Sequence, residues 1–446
     1  MATLEASAPF LAREARALLA RVGQLEPFSL NTPAVPAAAL SPATMRAIEA
    51  HLIQERRELH DEVQDFLAWL HDAAGRNASP VQQQRRFALL KMRFNAELNS
   101  LDIFADVLNQ RSEHETGLWL GGLDVVATDG LYRPSVLERV PPVVTYLDRG
   151  HGAAIRRART RLPGRGKNPV AVIRVPRERM VGSGIGASLL HEVGHQAAAL
   201  LDLVASLRSV LQQRAAQAEN DRPAWRLWER WISEIVADLW ALGTLGVSAT
   251  TGLIGVISLP KPFVFRMRLD DPHPLPWLRV LLNCEMGRQL FHDPQWDRLE
   301  RLWVRFYPPS SQSLPRRRLL RLLLDTQPEF VRLLLDHRST RLHWRSLREA
   351  LPASTRSPTR LRQLFTAWAG DTAQLCRVGP ALAMATIGQA AADERLSATT
   401  ENRLLTLLLR HWALKRLLPQ QAGITVCQRQ LDPLANRYSR SPVNTP

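Results

Sequence analysis

Hydrophobic residues recur at helical spacing through most of the first hundred residues. One series of apolar positions follows Ser41-Pro42 and a second follows Ser79-Pro80, each at intervals of three and four residues. Serine supplies a capping hydroxyl, and proline is favoured at the first helical position. We therefore predict two long antiparallel helices that pack against each other in a helical region, 1–115. A scaffold is the favoured interpretation of this region, with a binding module as the alternative.

The texture changes to glycine, proline and short β-rich runs between residues 116 and 186. Residues 170–175 lie between two prolines and form the clearest predicted strand, whereas 143–147 fit either a strand or a buried turn. Residues 161–168 are predicted to be an exposed loop. A glycine-rich turn at 181–186 then leads into an apolar run with helical spacing.

One segment, 239–260, contains no charged residue and is long enough to cross a bilayer as a helix. It also contains four glycines and directly follows a predicted amphipathic helix. A buried hairpin in the core is the favoured interpretation, and a membrane segment is the alternative.

The last third of the chain is rich in leucine and arginine. Prolines and serines at 308–315 predict a boundary, and a second such cluster at 352–358 predicts a break between helices. The last dozen residues are expected to fray. We predict a mostly α (α+β) protein in three regions: helical 1–115, a core with a small β-sheet at 116–307, and helical 308–446.

The chain is strongly basic, with a formal net charge of +16 that comes mainly from arginine. The arginines alternate with apolar residues, as on the polar faces of amphipathic helices. This distribution argues against nucleic acid as the main partner. It leaves an acidic protein partner, attracted by a basic surface, as the expectation.

The cysteines Cys284, Cys376 and Cys427 are far apart and form no CxxC pair. We therefore expect neither a disulfide framework nor a thiolate zinc site, which favours a reducing compartment. The first residues lack the basic-then-apolar design of a secretory signal. The expected location is the cytoplasm.

The strongest chemical signal is His191-Glu192-Val193-Gly194-His195. Residues four apart share one face of a helix, so both imidazoles can reach one metal ion. Glu192 lies one step around the helix, where a carboxylate can take a proton from an activated water molecule. A catalytic zinc site needs one further protein ligand.

The best candidate for that ligand is Glu234, on a helix that Asp221 and Pro223 are predicted to start. Asp238 lies one turn further on the same side. Two carboxylates on a largely buried helix are costly unless a cation lies nearby. Glu234 as a ligand and Asp238 as a hydrogen-bond acceptor from a ligating histidine satisfy both groups. The alternative is two acids that face solvent.

A third element surrounds His273, which lies between two prolines, with Arg279 six residues later. The prolines restrict the backbone, so the imidazole is presented rigidly. Either side chain is a candidate to stabilise an oxyanion on the substrate. The alternative role for both is to hold a loop through Asp271 or Asp238.

HExxH followed by ExxAD on a separate helix resembles the pattern of the gluzincin zinc metallopeptidases. The element from His273 to Arg279 is similar to one in the CAAX prenyl protease and HtpX-like family. The resemblance covers 170–279. Leu275 stands where the family usually has a second proline, and the transmembrane helices of its membrane members are absent. A prenylated substrate is therefore not implied.

The resemblance implies a Zn²⁺ ion bound by His191, His195 and Glu234. It also implies that Glu192 is the general base and that Asp238 supports a zinc-binding histidine. Their chemistry predicts a zinc-dependent peptidase, with endopeptidase action favoured, that acts on a peptide or protein substrate.

The predicted strand 170–175 precedes the metal helix, as the edge strand does in gluzincins, and is expected to pair with a peptide substrate. Two alternatives remain open. One is a helical interaction or scaffold protein whose zinc site is structural or degenerate. The other is a membrane-attached protease that uses 239–260.

Overall fold

The structure is a computed structural model that describes residues 7–23, 35–148, 154–158, 168–177, 182, 184–268, 271–369 and 373–416. Helices dominate, and three short strands form a small sheet, so the predicted mostly α (α+β) class is confirmed. The chain divides into two compact units. The first comprises Met1–Gly117 and Arg156–Val172, and the second comprises Leu118–Ile155 and Ile173–Pro446.

In the described part of the first unit, the α-helices are α1 (Ser7–Gly23), α2 (Pro42–His71), α3 (Ala73–Asn77) and α4 (Pro80–Asn109). The predicted starts of α2 and α4 are confirmed. The Ser41 hydroxyl accepts a hydrogen bond from the backbone N–H of Thr44, and Ser79 forms a capping box with Gln82. These bonds satisfy backbone donors that the first helical turn leaves without partners.

Helices α2 and α4 run antiparallel, as predicted. The rings of Phe66 and Phe87 are 5.6 Å apart near one end of the pair, and those of His51 and Phe104 are 5.8 Å apart towards the other. Phe66 follows His51 along α2, whereas its partner Phe87 precedes Phe104 along α4, so the two helices run in opposite directions. Apolar residues of α1 complete the same core, among them Leu11, Ala15 and Val22.

A pair of carboxylates lies buried between α2 and α4. Glu55 is 1% exposed and Glu97 is 2% exposed, and both oxygens of Glu97 lack a hydrogen-bond donor. His51 lies nearby, with its Nδ1 3.8 Å from Glu55 Oε1. Burial and the neighbouring Glu97 raise the pKa of Glu55 to about 7, because a second negative charge here is poorly solvated. Glu55 therefore keeps its proton to a higher pH than an exposed glutamate does.

The sheet consists of β1 (Val143–Asp148), β2 (Ala154–Arg156) and β3 (Ala171–Pro176). The strand order is β1-β3-β2, so β3 is the central strand. The expectation that this segment is an edge strand open to a peptide is therefore wrong, because β1 and β2 already pair with its two sides. Residues 143–147 form a strand, which decides between the two predicted alternatives.

Helix α5 (His114–Leu131) precedes the sheet, and four consecutive helices follow it: α6 (Gly184–Leu200), α7 (Leu203–Gln217), α8 (Arg222–Leu245) and α9 (Val247–Ile257). Helix α8 begins after Asp221, and its predicted apolar face is buried. It packs extensively against α6 and α7. These helices form the core of the second unit.

The uncharged segment 239–260 contains the end of α8 and all of α9. The two helices meet at Gly246, which has a positive φ of 61° that favours glycine. The first half of the segment 239–260 is buried, as the predicted core hairpin requires. Among the described helices, none has both the length and the apolar character needed to cross a bilayer.

The remaining helices pack around this core: α10 (Lys261–Val264), α11 (Pro276–Phe291), α12 (Gln295–Phe306), α13 (Leu314–Asp336), α14 (Leu347–Ala350), α15 (Pro358–Ala369), α16 (Ala373–Arg377), α17 (Pro380–Ala392) and α18 (Ala398–Lys415). The predicted breaks at 308–315 and 352–358 each contain a short 3-10 turn between helices. The predicted exposed loop at 161–168 and the predicted frayed terminus fall almost wholly outside the described residues.

The cysteines differ from expectation. Cys284 is free and buried, whereas Cys376 is disulfide-bonded. The sequence predicted no disulfide framework, whereas Cys376 forms a disulfide, because the spacing of cysteines in the sequence does not limit which of them meet in space. The cysteines therefore no longer support a reducing compartment.

The buried carboxylate pair predicts an unusual dependence of stability on pH. The folded-state pKa of Glu55 is about 7, above the ordinary 4.5, so between these values the folded chain holds a proton that the unfolded chain has released. Stability should therefore fall as pH rises through this interval, by roughly 3 kcal/mol at most. Urea unfolding of wild type and Glu55→Gln at about pH 5 and about pH 8 measures the effect.

The Glu55→Gln protein should show a smaller loss, and the exposed Glu113→Gln should behave as wild type. Equal pH dependence in the Glu55→Gln and wild-type proteins would contradict the raised pKa of Glu55.

Candidate metal centre

Helix α6 presents two imidazoles from one face. His191 and His195 lie one turn apart, and their ring centroids are 4.8 Å from each other at an interplanar angle of 85°. The neighbouring positions of α6 are almost all buried, so packing against other helices fixes the orientation of this face. Each histidine is partly buried, with 14% of its side chain exposed.

Helix α8 brings a carboxylate to these two rings. Glu234 Oε2 lies 3.3 Å from His191 Nε2, and Glu234 Oε1 lies 3.5 Å from His195 Nε2. One ligand atom from each of the three side chains falls within 4.8 Å of the others. Two imidazole nitrogens and one carboxylate oxygen form a donor set that suits zinc and other divalent ions. The three predicted ligands therefore come together, and they can hold one metal ion.

The two helices approach each other at Gly194, inside the HEVGH sequence. A Cβ atom at this position would lie 2.7 Å from the Cα of Ala237 and 2.8 Å from its carbonyl oxygen. Real Cβ atoms essentially never come this close to backbone atoms, so a side chain here requires the helices to separate. Gly194 is thus the residue that lets Glu234 reach the two histidines.

His191 is oriented by a chain of charged groups. Its Nδ1 lies 2.8 Å from Asp238 Oδ1, which leaves Nε2 facing Glu234. Arg279, on α11, donates to Asp238 through Nε at 2.6 Å and through Nη2 at 2.7 Å. Burial alone raises the pKa of Asp238, but the charge and hydrogen bonds of Arg279 hold it well below its usual range. Asp238 is therefore ionised.

Two roles were predicted for Arg279: stabilising an oxyanion, or holding a loop through Asp271 or Asp238. Its contact with Asp238 agrees with the second role. Its guanidinium donates one hydrogen bond to each oxygen of Asp238, and its side chain is 13% exposed. A guanidinium held this way by a buried carboxylate is fixed in place. The contact supports the histidine through Asp238 and leaves the guanidinium little freedom to follow a substrate.

Glu192 is 6% exposed, next to His191 on α6. Burial raises its pKa above the usual value, and the nearby histidines act in the opposite direction. A carboxylate with a raised pKa holds an abstracted proton more readily than one in water. The environment therefore suits a general base.

His273 lies beside the same cluster and is more exposed, at 44% of its side chain. Its Nε2 is 3.1 Å from Glu234 Oε2, and its Nδ1 is 2.7 Å from Asp271 Oδ1. The nearby carboxylate of Glu234 raises the pKa of His273. Asp271 also accepts from the His273 backbone N–H at 3.0 Å, so the loop is held as the alternative role predicted.

Glu234 itself shows that the centre favours a cation. Its Oε2 is buried and makes no hydrogen bond of good geometry, although two histidine nitrogens lie within 3.3 Å. Burial raises the pKa of Glu234, but interactions with three histidines hold it far below the usual range. A buried oxygen that stays ionised and poorly bonded is a good ligand for a metal ion.

Sequence reasoning identified the ligands, Glu192, Asp238 and Arg279, but assigned no role to Gly194. The available signal was a glycine in the middle of an otherwise regular helical run, which usually has a packing or functional reason. Comparisons with models of known protein families, with curated proteins and with solved structures find no match.

Replacing Gly194 with alanine should separate α6 and α8. We expect Gly194→Ala to destabilise the protein by about 1–3 kcal/mol and to weaken metal binding, since the new methyl group meets backbone rather than a movable side chain. Thermal unfolding and metal titration measure both effects. Gly255→Ala on α9 is the matched control, because its Cβ meets nothing within 4 Å. Equal metal affinity in both variants would contradict the close approach.

Metal binding should release a proton from His191. Burial lowers the pKa of this ring, but Asp238 and Glu234 more than compensate and raise it to about 9. The ring of the metal-free protein therefore carries a proton near neutral pH, and an ion at Nε2 must displace it. Apparent affinity should rise by up to about tenfold per pH unit below about pH 9.

Calorimetric titration with Zn²⁺ in two buffers of different ionisation enthalpy counts the released protons. Asp238→Asn should release fewer, because the group that raises the pKa is gone. A heat that is the same in both buffers would rule out the linkage.

Proposed function

We propose that the protein is a zinc-dependent peptidase, and that it cleaves peptide bonds as an endopeptidase. One observation carries the proposal. His191, His195 and Glu234 converge from two helices with Glu192 directly beside them, so three metal ligands and a buried base share one site. This arrangement is what hydrolysis with an activated water molecule requires.

His191, His195 and Glu234 would hold the zinc ion. When bound, zinc would supply a Lewis acid that acidifies a water molecule and polarises the substrate carbonyl. Asp238 fixes the tautomer and the direction of His191 through the hydrogen bond at Nδ1. Arg279 in turn keeps Asp238 ionised and in position.

Glu192 moves the proton. Its carboxylate takes a proton from the attacking water while the water oxygen bonds to the substrate carbonyl carbon. The same proton then passes to the amine nitrogen as the carbon–nitrogen bond breaks. Because burial raises the pKa of Glu192, the protonated carboxyl persists long enough to protonate the leaving group.

His273 is placed to assist at the carbonyl oxygen. Its ring is the most exposed of the three histidines at the centre, and the nearby carboxylate of Glu234 raises its pKa. A cationic imidazole held by Asp271 can stabilise the negative charge that develops on that oxygen. Asp271 and the flanking prolines hold the ring in place.

The number of ligands favours catalysis over a structural zinc site. Structural zinc is almost always held by four protein ligands, whereas catalytic zinc keeps one position for water. Within the described part of the chain, the one group that can hold a metal contributes three side chains. This supports the peptidase over the scaffold protein with a structural or degenerate site.

Glu192→Gln tests the mechanism. We expect this variant to bind zinc as tightly as wild type and to lose about 10²–10⁴-fold in kcat, because the amide cannot accept the proton. Metal analysis and cleavage of a broad peptide library measure the two properties. The exposed Glu138→Gln should leave both unchanged.

Glu234→Ala completes the test by removing a ligand. It should lose most of the bound zinc, and its cleavage should fall with its zinc content. Undiminished proteolysis by Glu192→Gln would refute the mechanism. Zinc bound by wild type without cleavage of any library member would favour the scaffold protein.

A further inference from the structure

A basic cleft lies along the first half of α8. It has a volume of about 900 Å³ and is lined by residues of α7 and α8, together with Met267 and Leu319. We propose that this cleft binds acidic side chains of the peptide substrate and so gives the site a preference for acidic sequences. This proposal rests on the proposed function, since it names the substrate class of the same enzyme.

The walls of the cleft carry more positive than negative charge. Four arginines line it, against two glutamates, an excess of two positive charges. One of the glutamates, Glu229, is already occupied: it accepts a hydrogen bond from Gln212 at 2.7 Å and lies 3.7 Å from Arg208. It therefore neutralises part of the charge of Arg208 and is not available to the other arginines.

Two of the arginines are free to bind a ligand. Arg222 is held, because its Nε donates to the carbonyl oxygen of Ala218 at 3.0 Å. Arg226 and Arg230 are exposed and form no ion pair or hydrogen bond with any described residue. Both guanidinium groups can therefore present their paired N–H donors to a carboxylate.

Other arginines of this unit that lie between elements are paired. Arg214 donates to Glu329, Arg288 to Glu285, Asp297 and Glu300, and Arg362 to Asp293 and Asp393. Where one of these arginines links two elements, an acidic side chain pairs with it. The exposed pair on α8 follows a different pattern, in which two adjacent turns of one helix direct positive charge into a cleft.

The cleft and Glu234 lie along the same helix, α8. Leu227, Arg230 and Glu234 are spaced i, i+3 and i+7, so they lie on one face of the helix. At a rise of 1.5 Å per residue, Arg230 and Arg226 lie about 6 and about 12 Å before Glu234 along the axis. Met267 is also close in the chain to His273, which contacts Glu234.

These distances indicate where the acidic residue of a substrate lies. An extended peptide advances about 3.3 Å per residue, so carboxylates roughly two to four residues from the cleaved bond reach Arg230 or Arg226. Leu227, Met267 and Leu319 offer apolar surface to the aliphatic part of such side chains. A continuous phosphate backbone fits less well, because Glu219 and Glu229 lie in the same walls and repel it.

The experiment compares peptides that differ only in charge. Each pair carries Glu or Gln, at positions two to four residues from the cleaved bond on either side. Wild type should cleave the acidic member with a kcat/KM about tenfold higher, at least at one position, since a charge-assisted contact is at stake. The double substitution Arg226→Glu/Arg230→Glu should reverse the preference, so that the neutral member of a pair is cleaved with the higher kcat/KM.

The matched control is Arg301→Glu/Arg305→Glu on α12, where both arginines are exposed and the net charge changes equally. This variant should keep the wild-type preference. A preference that is the same in all three proteins would overturn the subsite. A loss of preference in the control as well would assign the effect to overall charge, and would also overturn it.

Binding separates failure of the subsite from failure of the proposed function. Fluorescence anisotropy of a labelled acidic peptide with full-length Glu192→Gln needs no cleavage. Binding that depends on Arg226 and Arg230, together with a wild-type protein that cleaves no member of the peptide library, would support the cleft and refute the peptidase. Cleavage by wild type at equal rates for the Glu and Gln peptides would support the peptidase and refute the cleft as a subsite. A short DNA can also compete with the labelled peptide. If the DNA displaces it at a lower concentration than unlabelled peptide does, the proposal that the cleft binds an acidic peptide is overturned.

Discussion

The contact of α6 with α8 at Gly194 and Ala237 is the constraint on which the metal centre depends. Two histidines on one helix cannot bind a catalytic metal alone, and the third ligand lies more than thirty residues later. The distance between the helix axes therefore decides whether the ligands meet. A glycine in contact with backbone atoms allows the closest separation that two helices can have.

The free-energy cost of burying a charge explains which residues surround the buried carboxylates. Glu234 and Asp238 are buried on one helix, and each faces cationic or histidine partners: the histidines for the first, Arg279 and His191 for the second. Glu55 and Glu97 show the opposite solution in the first unit. There, burial beside Glu97 raises the pKa of Glu55, so a proton takes the place of a cation.

Arginine has two distinct uses in this basic chain. Between helices it is paired with acids, as Arg288 is with three carboxylates, and it stabilises the packing. On the first half of α8, the exposed Arg226 and Arg230 form no ion pair with any described residue and line a cleft. A single value of net charge cannot separate these uses, because it sums guanidinium groups that are already neutralised with those that are available to a partner.

The sequence by itself determined the helices, their starts at Ser41, Ser79 and Asp221, and the identity of the three side chains that can hold a metal ion. These features depend on periodicity and on spacing within one helix, which are local. The tertiary structure decided the rest: the central position of β3, the disulfide of Cys376, the role of Arg279 and the need for glycine at position 194. Each of these is set by which distant segment lies alongside, and a pattern within one segment carries no information about its neighbour in space.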